Sequence, residues 1–474
     1  MHESTGPKLR TALSLVAAAV LAGCSFIPTH ERPAAPVADA YPSLGSNAGT
    51  QATAPALAWT SFVGDAHLRE LIALALANNR DLRVATLNIE QVRAQYQIRR
   101  ADQLPSLGLA ASGNRQPDGN GGISSTYSAG LALSSWEIDF FGRIASLKEA
   151  ALAQYLASEE AQRAAQTSLV AAVSSTWLSL QSSDDLLALT QRTLATREDS
   201  LRLTKLRFDN GATSALDLRQ AESLTAAAQA SFAQQQRQRA LDLNALTLLV
   251  GQPIPAKLLE PSQPAASTGE GGTAMQPLLS DVPAGLPSDL LERRADIRQA
   301  EQQLIAANAN IGAARAAFFP RISLTASAGT ASSELSGLFK DGSWGFTLAP
   351  QALLPIFDAG RNRASLESAR VGRDIAVAQY EKAVQTAFRE VADALAGQAT
   401  LGEQLRAQQV QATAEAERFR LAELRYRNGV ASFLDVLDAQ RSLFGTEQAL
   451  VQTRLAQQQN QVALYRALGG GWSE

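Results

Sequence analysis

The sequence predicts an α+β membrane protein built as an internal tandem duplication, in which long antiparallel helical hairpins carry four β-strands. Three observations support this fold class. A helical motif recurs 218 positions later in the chain (429 − 211). Two runs of about 65 residues have helical character without proline. Four shorter runs alternate apolar with small or polar side chains.

The duplication is clearest at two turns between helices. Each copy has an Asn-Gly pair followed by a serine, namely Asn210, Gly211 and Ser214 in the first copy, and Asn428, Gly429 and Ser432 in the second. About ten of the 22 residues from Leu201 to Glu222 match the second copy. Glycine adopts the left-handed conformation that ends a helix, and serine caps the next helix. One copy alone would be typical of an ordinary turn, whereas two at the ends of long helices favour functional tips.

The helices on either side of each turn have unequal lengths. A continuous helix from Arg143 to Asn210 would be about 98 Å long, and its counterpart from Arg361 to Asn428 contains glycines but no proline. The returning helices, Ser214 to Val250 and Ser432 to Leu468, would each be about 55 Å long. Each repeat is therefore predicted to be a long hairpin of two antiparallel helices.

Four strands are predicted at about 104–113, 126–140, 320–330 and 343–357, arranged as two hairpins. In the second strand the apolar phase slips between Leu133 and Trp136, which predicts a bulge or the end of the strand there. Strands of about ten residues are long enough to cross an outer membrane at a tilt. Four strands cannot close a barrel in lipid, so the chain must form an oligomer, and three copies give twelve strands with room for a lumen.

The first residues predict export and lipid attachment. Lys8 and Arg10 precede an apolar run that is too short to span a bilayer, and Cys24, the only cysteine, follows this run. We interpret residues 1–23 as a lipoprotein signal peptide and Cys24 as the lipidated first residue of the mature chain; a buried structural thiol is the alternative. The remaining divisions are an extended segment at 24–64, repeat 1 at 65–259, a linker at 260–287 and repeat 2 at 288–470.

Composition argues against several classes of function. The formal net charge is −3 and only 18% of the residues are charged, so no nucleic-acid partner is indicated. With three histidines and one cysteine, the chain offers no metal site and no histidine-based triad. We therefore expect a protein that is not an enzyme and needs no cofactor.

Several motifs together resemble the TolC/OprM family of outer-membrane factors. They are Cys24, the paired Asn-Gly tips, the Gly-Arg pairs Gly142-Arg143 and Gly360-Arg361 that open the long helices, and the run from Leu434 to Gln440. The likeness extends roughly from Trp59 to Trp472 and is strongest to the lipoprotein branch, of the NodT type, that serves resistance-nodulation-division (RND) drug efflux pumps. It implies a homotrimer with a twelve-stranded outer-membrane barrel and a periplasmic α-helical barrel, anchored by lipid.

The resemblance also implies roles for individual residues near the second tip. Asp435 and Asp438 match acidic rings that narrow the periplasmic aperture, and Leu434 matches an apolar ring. Stabilisation of the helix that follows Ser432 is the alternative role for the two aspartates.

Further residues match contacts that keep this aperture closed. Asp217 and Tyr426 match the partners of a bond between neighbouring hairpins. Ala431 stands where protein-secreting relatives carry a bracing arginine, and we expect Arg427 to supply some of that bracing. The tip residues Asn210, Gly211, Ser214, Asn428, Gly429 and Ser432 are expected to dock a periplasmic adaptor.

The function implied is the passive exit duct of a tripartite efflux pump. Drugs or other small molecules would pass from a periplasmic adaptor and an inner-membrane RND transporter to the outside. Two alternatives remain open: the same channel build serving type I secretion or metal efflux, and a periplasmic coiled-coil lipoprotein without a pore. The second alternative needs no strands of membrane length, so the four predicted strands argue against it.

Overall fold

The computed structural model describes residues 25–42, 58–117, 121–260, 279, 291 and 293–470. The described chain divides into two compact units. The first contains the described parts of Met1–Ala35, Leu87–Glu160 and Arg298–Lys382, and the second those of Pro36–Thr86, Ala161–Ile297 and Ala383–Glu474. The predicted signal peptide, Cys24 and most of the predicted linker lie outside the described residues.

The described chain contains two similar series of elements, in each of which helices alternate with a pair of strands. In chain order they are α1 (Trp59–Phe62), α2 (Ala66–Asn78), α3 (Arg80–Ala101), β1 (Leu107–Pro117), β2 (Ile123–Ile138), α4 (Arg143–Asp209), α5 (Ala215–Val250), α6 (Ala256–Leu259), α7 (Ala295–Ala316), β3 (Arg321–Ser332), a 3₁₀ turn (Leu335–Gly337), β4 (Trp344–Leu353), α8 (Arg361–Arg427) and α9 (Phe433–Ala467). The two predicted long helices are confirmed, because α4 and α8 each contain 67 residues. No helix in the described part of the chain combines the length and the apolar character needed to cross a membrane.

In the first unit, β1 to β4 form one antiparallel sheet in sequence order. The pairing of β2 with β3 joins the two repeats through backbone hydrogen bonds. The register between these strands shifts between Leu133 and Trp136, and Ser135 has a positive φ of 46°. The predicted bulge is therefore confirmed.

The strand boundaries differ from the predicted ones at both hairpins. β1 continues to Pro117, beyond the predicted end at about residue 113, because its Gly/Asn-containing part still pairs with β2. β4 ends at Leu353 rather than near residue 357. Pro355 follows directly after Leu354 and has no backbone N–H to donate to a neighbouring strand.

Two glycines allow β2 and β3 to approach closely in the middle of the sheet. Gly130 lies opposite Gly329, which in turn lies opposite Gly345 of β4. A Cβ atom on Gly130 would lie 2.6 Å from the Gly329 Cα atom and 3.0 Å from the carbonyl carbon of Ala328. Only residues without a side chain fit at this crossing.

An ion-pair cluster joins the two repeats where the strands meet the helices. Glu137, near the end of β2, accepts hydrogen bonds from Arg143 at the start of α4, with N–O distances of 2.8 and 2.7 Å. The same carboxylate accepts a 2.7 Å bond from Nη2 of Arg321, the first residue of β3. Because the Glu137 side chain is only 14% exposed, these bonds are partly shielded from water.

Residues 25–35, which we call the N-terminal strap, have no regular secondary structure but are held against the second repeat. The Phe26 ring stacks on Phe319 with 4.8 Å between centroids, and the Phe26 carbonyl accepts a 3.1 Å bond from Arg315. Arg32 donates two bonds to the carboxylate of Glu301, at 2.8 and 2.9 Å. The extended segment predicted for this region is thus tied to α7 and the residues after it.

The second unit contains the main hydrophobic core. Helix α2 buries Leu68, Leu71 and Ile72 completely. The rings of Phe62 and Tyr465 stack at 4.1 Å with 4° between their planes, which joins the start of the first repeat to the end of the second. Leu279, from the predicted linker, is buried and forms a bridge with Val63, so part of that linker is packed.

A buried arginine holds the C-terminal end of α9. The Arg294 side chain is 8% exposed and binds the Asp296 carboxylate through two bonds of 3.0 and 2.6 Å. Its Nη1 atom donates to Glu390 at 2.8 Å and to the carbonyl oxygen of Ala467 at 3.0 Å. One guanidinium therefore connects the first turn of α7, the middle of α8 and the last residue of α9.

Candidate functional site

The two predicted tips, residues 210–214 and 428–432, lie in the second unit and have the same backbone geometry. Gly211 and Gly429 have φ angles of 71° and 73°, in the left-handed region. The amide of Ala212 donates to the Arg207 carbonyl at 2.8 Å, and that of Val430 donates to the Arg425 carbonyl at 2.9 Å. These bonds satisfy the carbonyl groups left over at the helix end. Apart from the adjoining residues, a Cβ atom on either glycine would meet no atom of the described chain within 4 Å.

Each tip continues into a capping box at the start of the returning helix. The Ser214 hydroxyl accepts a bond from the Asp217 amide at 3.2 Å, and the Asp217 carboxylate accepts one from the Ser214 amide, also at 3.2 Å. In the second copy the Asp435 amide donates to the Ser432 hydroxyl at 3.3 Å, and the Ser432 amide donates to Asp435 at 3.1 Å. Both aspartates thus stabilise helix starts.

Asp438 is held by two arginines of its own chain. Arg441 donates from Nη2 to one carboxylate oxygen and Arg418 donates to the other, both at 2.6 Å. These bonds, that from Arg441 foremost, hold the pKa of Asp438 below its ordinary value. Asp438 is therefore compensated within the chain, and Asp435 is the aspartate whose charge has no arginine bonded to it among the described contacts.

Tyr426 contacts residues of both tips. Its hydroxyl accepts a hydrogen bond from Nη1 of Arg207, whose guanidinium carbon lies 5.1 Å from the centre of the Tyr426 ring. The Phe433 ring packs against the Tyr426 ring, with 5.2 Å between their centroids. Tyr426 thus joins the end of α4 to the start of α9.

The remaining predicted site residues have surface positions. The Leu434 side chain is 52% exposed, and Arg427 pairs with Glu423 of the same helix at 2.6 Å. Asp217 bonds to its own tip through Ser214 and through the Thr213 hydroxyl at 2.8 Å. A contact between Asp217 and Tyr426 of neighbouring chains, an aperture lined by Leu434 and bracing by Arg427 stay predictions.

The two arginines that bind Asp438 were not among the site residues predicted from the sequence. Arg441 lies one helical turn after Asp438, so the spacing of opposite charges could have indicated that pair. Arg418 lies on the preceding helix, and no short-range pattern connects it with Asp438. In the described residues, no three histidine, cysteine, aspartate or glutamate side chains are grouped so as to hold a metal ion.

The first capping box predicts a pH dependence at its tip. Hydrogen bonds from Ser214, and then from Thr213, hold the pKa of Asp217 below its ordinary value of 3.8. The stability from this carboxylate is fully present above 3.8 and is lost as the pH falls through the folded-state pKa. We expect the exchange of backbone amide hydrogens in residues 205–220 to accelerate as the pH falls below 3.8, after correction for the intrinsic pH dependence of exchange. Asp217→Asn should remove this acceleration; an unchanged profile in the variant would contradict the assignment to Asp217.

Comparison with known proteins gives likenesses along almost the whole chain. The family model described as outer membrane efflux protein matches residues 71–252 and 286–470. The probable efflux pump outer membrane protein TtgC of Pseudomonas putida is 48% identical over 476 residues, covering 98% of this chain and 96% of that protein.

Solved structures agree with this similarity. The crystal structure of a membrane protein from Pseudomonas aeruginosa is 49% identical with a TM-score of 0.86, covering 95% of this chain and 98% of that one. The open-state structure of the MtrE outer membrane channel of Neisseria gonorrhoeae is 40% identical with a TM-score of 0.83, covering 94% and 98%. Together with the four-stranded sheet and the long helices, these likenesses confirm the predicted fold class.

Proposed function

Because this chain belongs to the outer membrane efflux protein family, we propose that it is the outer-membrane exit duct of a tripartite efflux pump. The observation that carries the proposal is the combination of a four-stranded sheet with two 67-residue helices, in a chain 40% identical to a solved outer membrane channel. The duct passively conducts drugs or other small molecules, and its role requires no catalytic residue. A periplasmic coiled-coil lipoprotein without a pore, one of the predicted alternatives, would have no use for the four-stranded sheet.

The proposed assembly is a homotrimer anchored in the outer membrane. The sheet has two outer strands, β1 and β4, and open strand edges are unfavourable in lipid. Three copies supply twelve strands, enough to surround a lumen. Lipid attached to Cys24 anchors each copy, and the helices extend into the periplasm. There they meet a periplasmic adaptor and an inner-membrane RND pump, which supplies the energy.

In this assembly the second tips of the three chains surround the periplasmic aperture. Asp435 and Asp438 approach the axis there, next to Leu434. Since Arg418 and Arg441 compensate Asp438, we assign cation selectivity chiefly to Asp435. Two such carboxylates about 6 Å apart in water repel each other by roughly 0.7 kcal/mol. A cation entering the ring relieves this repulsion.

Asp435→Asn is expected to lower the ratio of cation to anion permeability by about threefold, the factor that corresponds to roughly 0.7 kcal/mol. The measurement is single-channel conductance of the purified trimer in a planar bilayer, with the oligomeric mass determined in the same detergent. Asparagine retains an oxygen that can accept the Ser432 amide bond.

Ser432→Ala is the matched control, since it removes the hydroxyl cap but keeps the charge of Asp435. Its selectivity should equal that of the unchanged protein. Equal loss of selectivity in both variants would assign Asp435 to helix capping alone. A monomer that never conducts would refute the duct itself and favour the coiled-coil lipoprotein.

Bulky side chains at the tips are expected to reduce efflux without dissociating the trimer. Gly211→Val with Gly429→Val introduces backbone strain of about 1–2 kcal/mol at each turn and fills the open space where an adaptor would dock. Growth inhibition by pump substrates, in cells that lack the unmodified protein, measures the effect. Gly445→Ala, on α9 where a Cβ atom meets nothing within 4 Å, is the control and should be silent. Loss of trimers would instead show that the tip glycines serve folding only.

A further inference from the structure

A cavity of about 500 Å³ lies in the first unit, between the N-terminal strap, the start of α4 and α7. Its lining comes from three segments, which lie within residues 25–30 of the strap, 139–149 around the start of α4 and 305–309 of α7. Sites for small ligands typically have volumes of about 300–1,000 Å³. The cavity is therefore large enough for a small ligand or for part of a larger one.

The three segments around the cavity are packed firmly against one another. A Cβ atom on Gly312 of α7 would lie 2.6 Å from Cγ1 of Ile27 and 2.8 Å from Oγ of Ser146, so α7, the strap and α4 approach closely there. At the start of α4, Oδ2 of Asp139 accepts a 2.7 Å hydrogen bond from the Ala145 amide. These contacts fix the walls of the cavity before any ligand binds.

Three polar side chains of the lining have no partner among the described residues. Asn308 is only 6% exposed, yet its side-chain amide makes no hydrogen bond with any described residue. Buried amides normally have such bonds. Lys148 and Glu149 are partly buried and form no ion pair with another described residue. As adjacent residues of a helix they do not face each other. The cavity thus offers an amide and one charge of each sign to a ligand.

The internal duplication does not explain these polar residues. Lys148 lies five residues after the first residue of α4, and the residue at the same place in α8 is Leu366. Asn308 lies twelve residues before Pro320, and the residue twelve before Pro105 is Arg93 (320 − 308 and 105 − 93). The lysine and the asparagine therefore belong to this one cavity and are not a general feature of the repeat.

The cavity lies just beyond the end of the sheet. β2 ends at Ile138, and Glu149 is six residues into α4 (149 − 143), or about 9 Å along the helix. The headgroup layer on each side of a bilayer's hydrocarbon core is about 5–8 Å thick. Ser25, which also lines the cavity, directly follows Cys24, the proposed site of lipid attachment. If the sheet spans the outer membrane, the cavity is therefore level with the headgroups of the periplasmic leaflet.

We propose that this cavity binds the headgroup of a phospholipid that carries both a phosphate and a primary ammonium group, namely phosphoethanolamine. The proposal rests on the proposed function, which places the sheet in the outer membrane. The Lys148 ammonium and the Asn308 amide donate hydrogen bonds to phosphate oxygens, and the ammonium of the ligand donates to the Glu149 carboxylate. Acyl chains on Cys24 supply neither a phosphate nor an amine, so they cannot satisfy these groups.

The charges of the lining favour this headgroup over other phospholipid headgroups. Two further ionisable residues already have partners, since Nε2 of His30 lies 3.6 Å from Glu301 and Asp139 caps α4. Lys148 and Glu149 therefore leave one charge of each sign for the ligand. A phosphoglycerol headgroup would leave the carboxylate without a cation, and the choline ammonium has no N–H group to donate.

Native mass spectrometry of the purified full-length protein, with equal amounts of dioleoyl phosphatidylethanolamine, phosphatidylcholine and phosphatidylglycerol added in detergent, tests the proposal. We expect one phosphatidylethanolamine per copy, retained about tenfold more than either other lipid. Lys148→Gln and Glu149→Gln should each lower its retention by about tenfold, the effect of losing one hydrogen bond to a charged group. Lys205→Gln is the matched control, since Lys205 is an exposed lysine at the other end of α4 and should have no effect.

Planar-bilayer conductance of the same samples separates this proposal from the proposed function. A conducting trimer that retains the three lipids equally, or whose lipid retention Lys148→Gln does not change, would overturn the lipid site and leave the duct intact. Preference for phosphatidylglycerol would overturn the role of Glu149. Glycerophosphoethanolamine, the same headgroup without acyl chains, should bind at least tenfold more weakly, and equal binding would overturn a lipid as the ligand. A monomer that never conducts would overturn both proposals.

Discussion

Gly130→Val is expected to reduce the amount of folded protein in the outer-membrane fraction by about tenfold or more, through a penalty of about 3 kcal/mol or more. The new Cβ atom would lie 2.6 Å from the Cα atom of Gly329 and 3.0 Å from the carbonyl carbon of Ala328. These are backbone atoms, which cannot rotate out of the way as a side chain can. Relief would require β2 and β3 to separate, and their pairing is what joins the two repeats within the sheet.

Gly345→Val is the matched control for this prediction. Gly345 lies in the same row of the sheet, opposite Gly329, but a Cβ atom on it would meet nothing within 4 Å. Immunoblotting of membrane fractions, with heat-induced mobility change to score folded protein, compares the two variants. If both valines reduce the folded fraction equally, the effect comes from losing glycine in a strand and not from the crossing.

Arg294→Ala is expected to lower the free energy of unfolding by about 3–5 kcal/mol, the usual effect of removing one partner from a buried ion pair. The substitution leaves Glu390 and the Ala467 carbonyl without their 2.8 and 3.0 Å bonds. Chemical denaturation of the detergent-solubilised protein, followed by tryptophan fluorescence, measures the change. Trp177 is buried in the same unit and reports its unfolding.

Arg466→Ala provides the comparison, because Arg466 binds the same Glu390 from the surface. Its side chain is 45% exposed and the contact is 3.4 Å long, so we expect a loss within about 1 kcal/mol. Arg294→Lys should recover little, since an ammonium group cannot reproduce the two-pronged contact with Asp296. Equal destabilisation by the two alanine variants would contradict the role given to Arg294.

Local patterns in the sequence predicted much of the fold. Gly142 and Asn210 bracket a run without glycine or proline, and α4 occupies it from Arg143 to Asp209. The slip in apolar phase between Leu133 and Trp136 located the β2 bulge. Both features depend on neighbours within a few residues. Local steric preference and apolar periodicity are therefore sufficient to predict them.

Strand ends were less predictable, because pairing decides them. Asn114, Arg115 and Gln116 have little strand preference, yet they face residues 124–126 and remain in β1. At the site, the contacts of Tyr426 with Arg207 and of Asp438 with Arg418 join different helices. Only the packing of one helix against another brings these side chains together, so the sequence predicted the tips but not the contacts that hold them.

The N-terminal strap has a consequence for the order in which the chain folds. Phe26 packs on Phe319, and Arg32 binds Glu301, so the first described residues depend on partners that are synthesised 269 (301 − 32) to 293 (319 − 26) residues later. When the chain is synthesised and exported from its N-terminus, the strap therefore has no partners to bind until nearly two thirds of the chain has followed. The lipid attachment proposed for Cys24 would take place during this interval, before the strap docks. Attachment to lipid would then precede completion of the fold, and docking of the strap would be among its last steps.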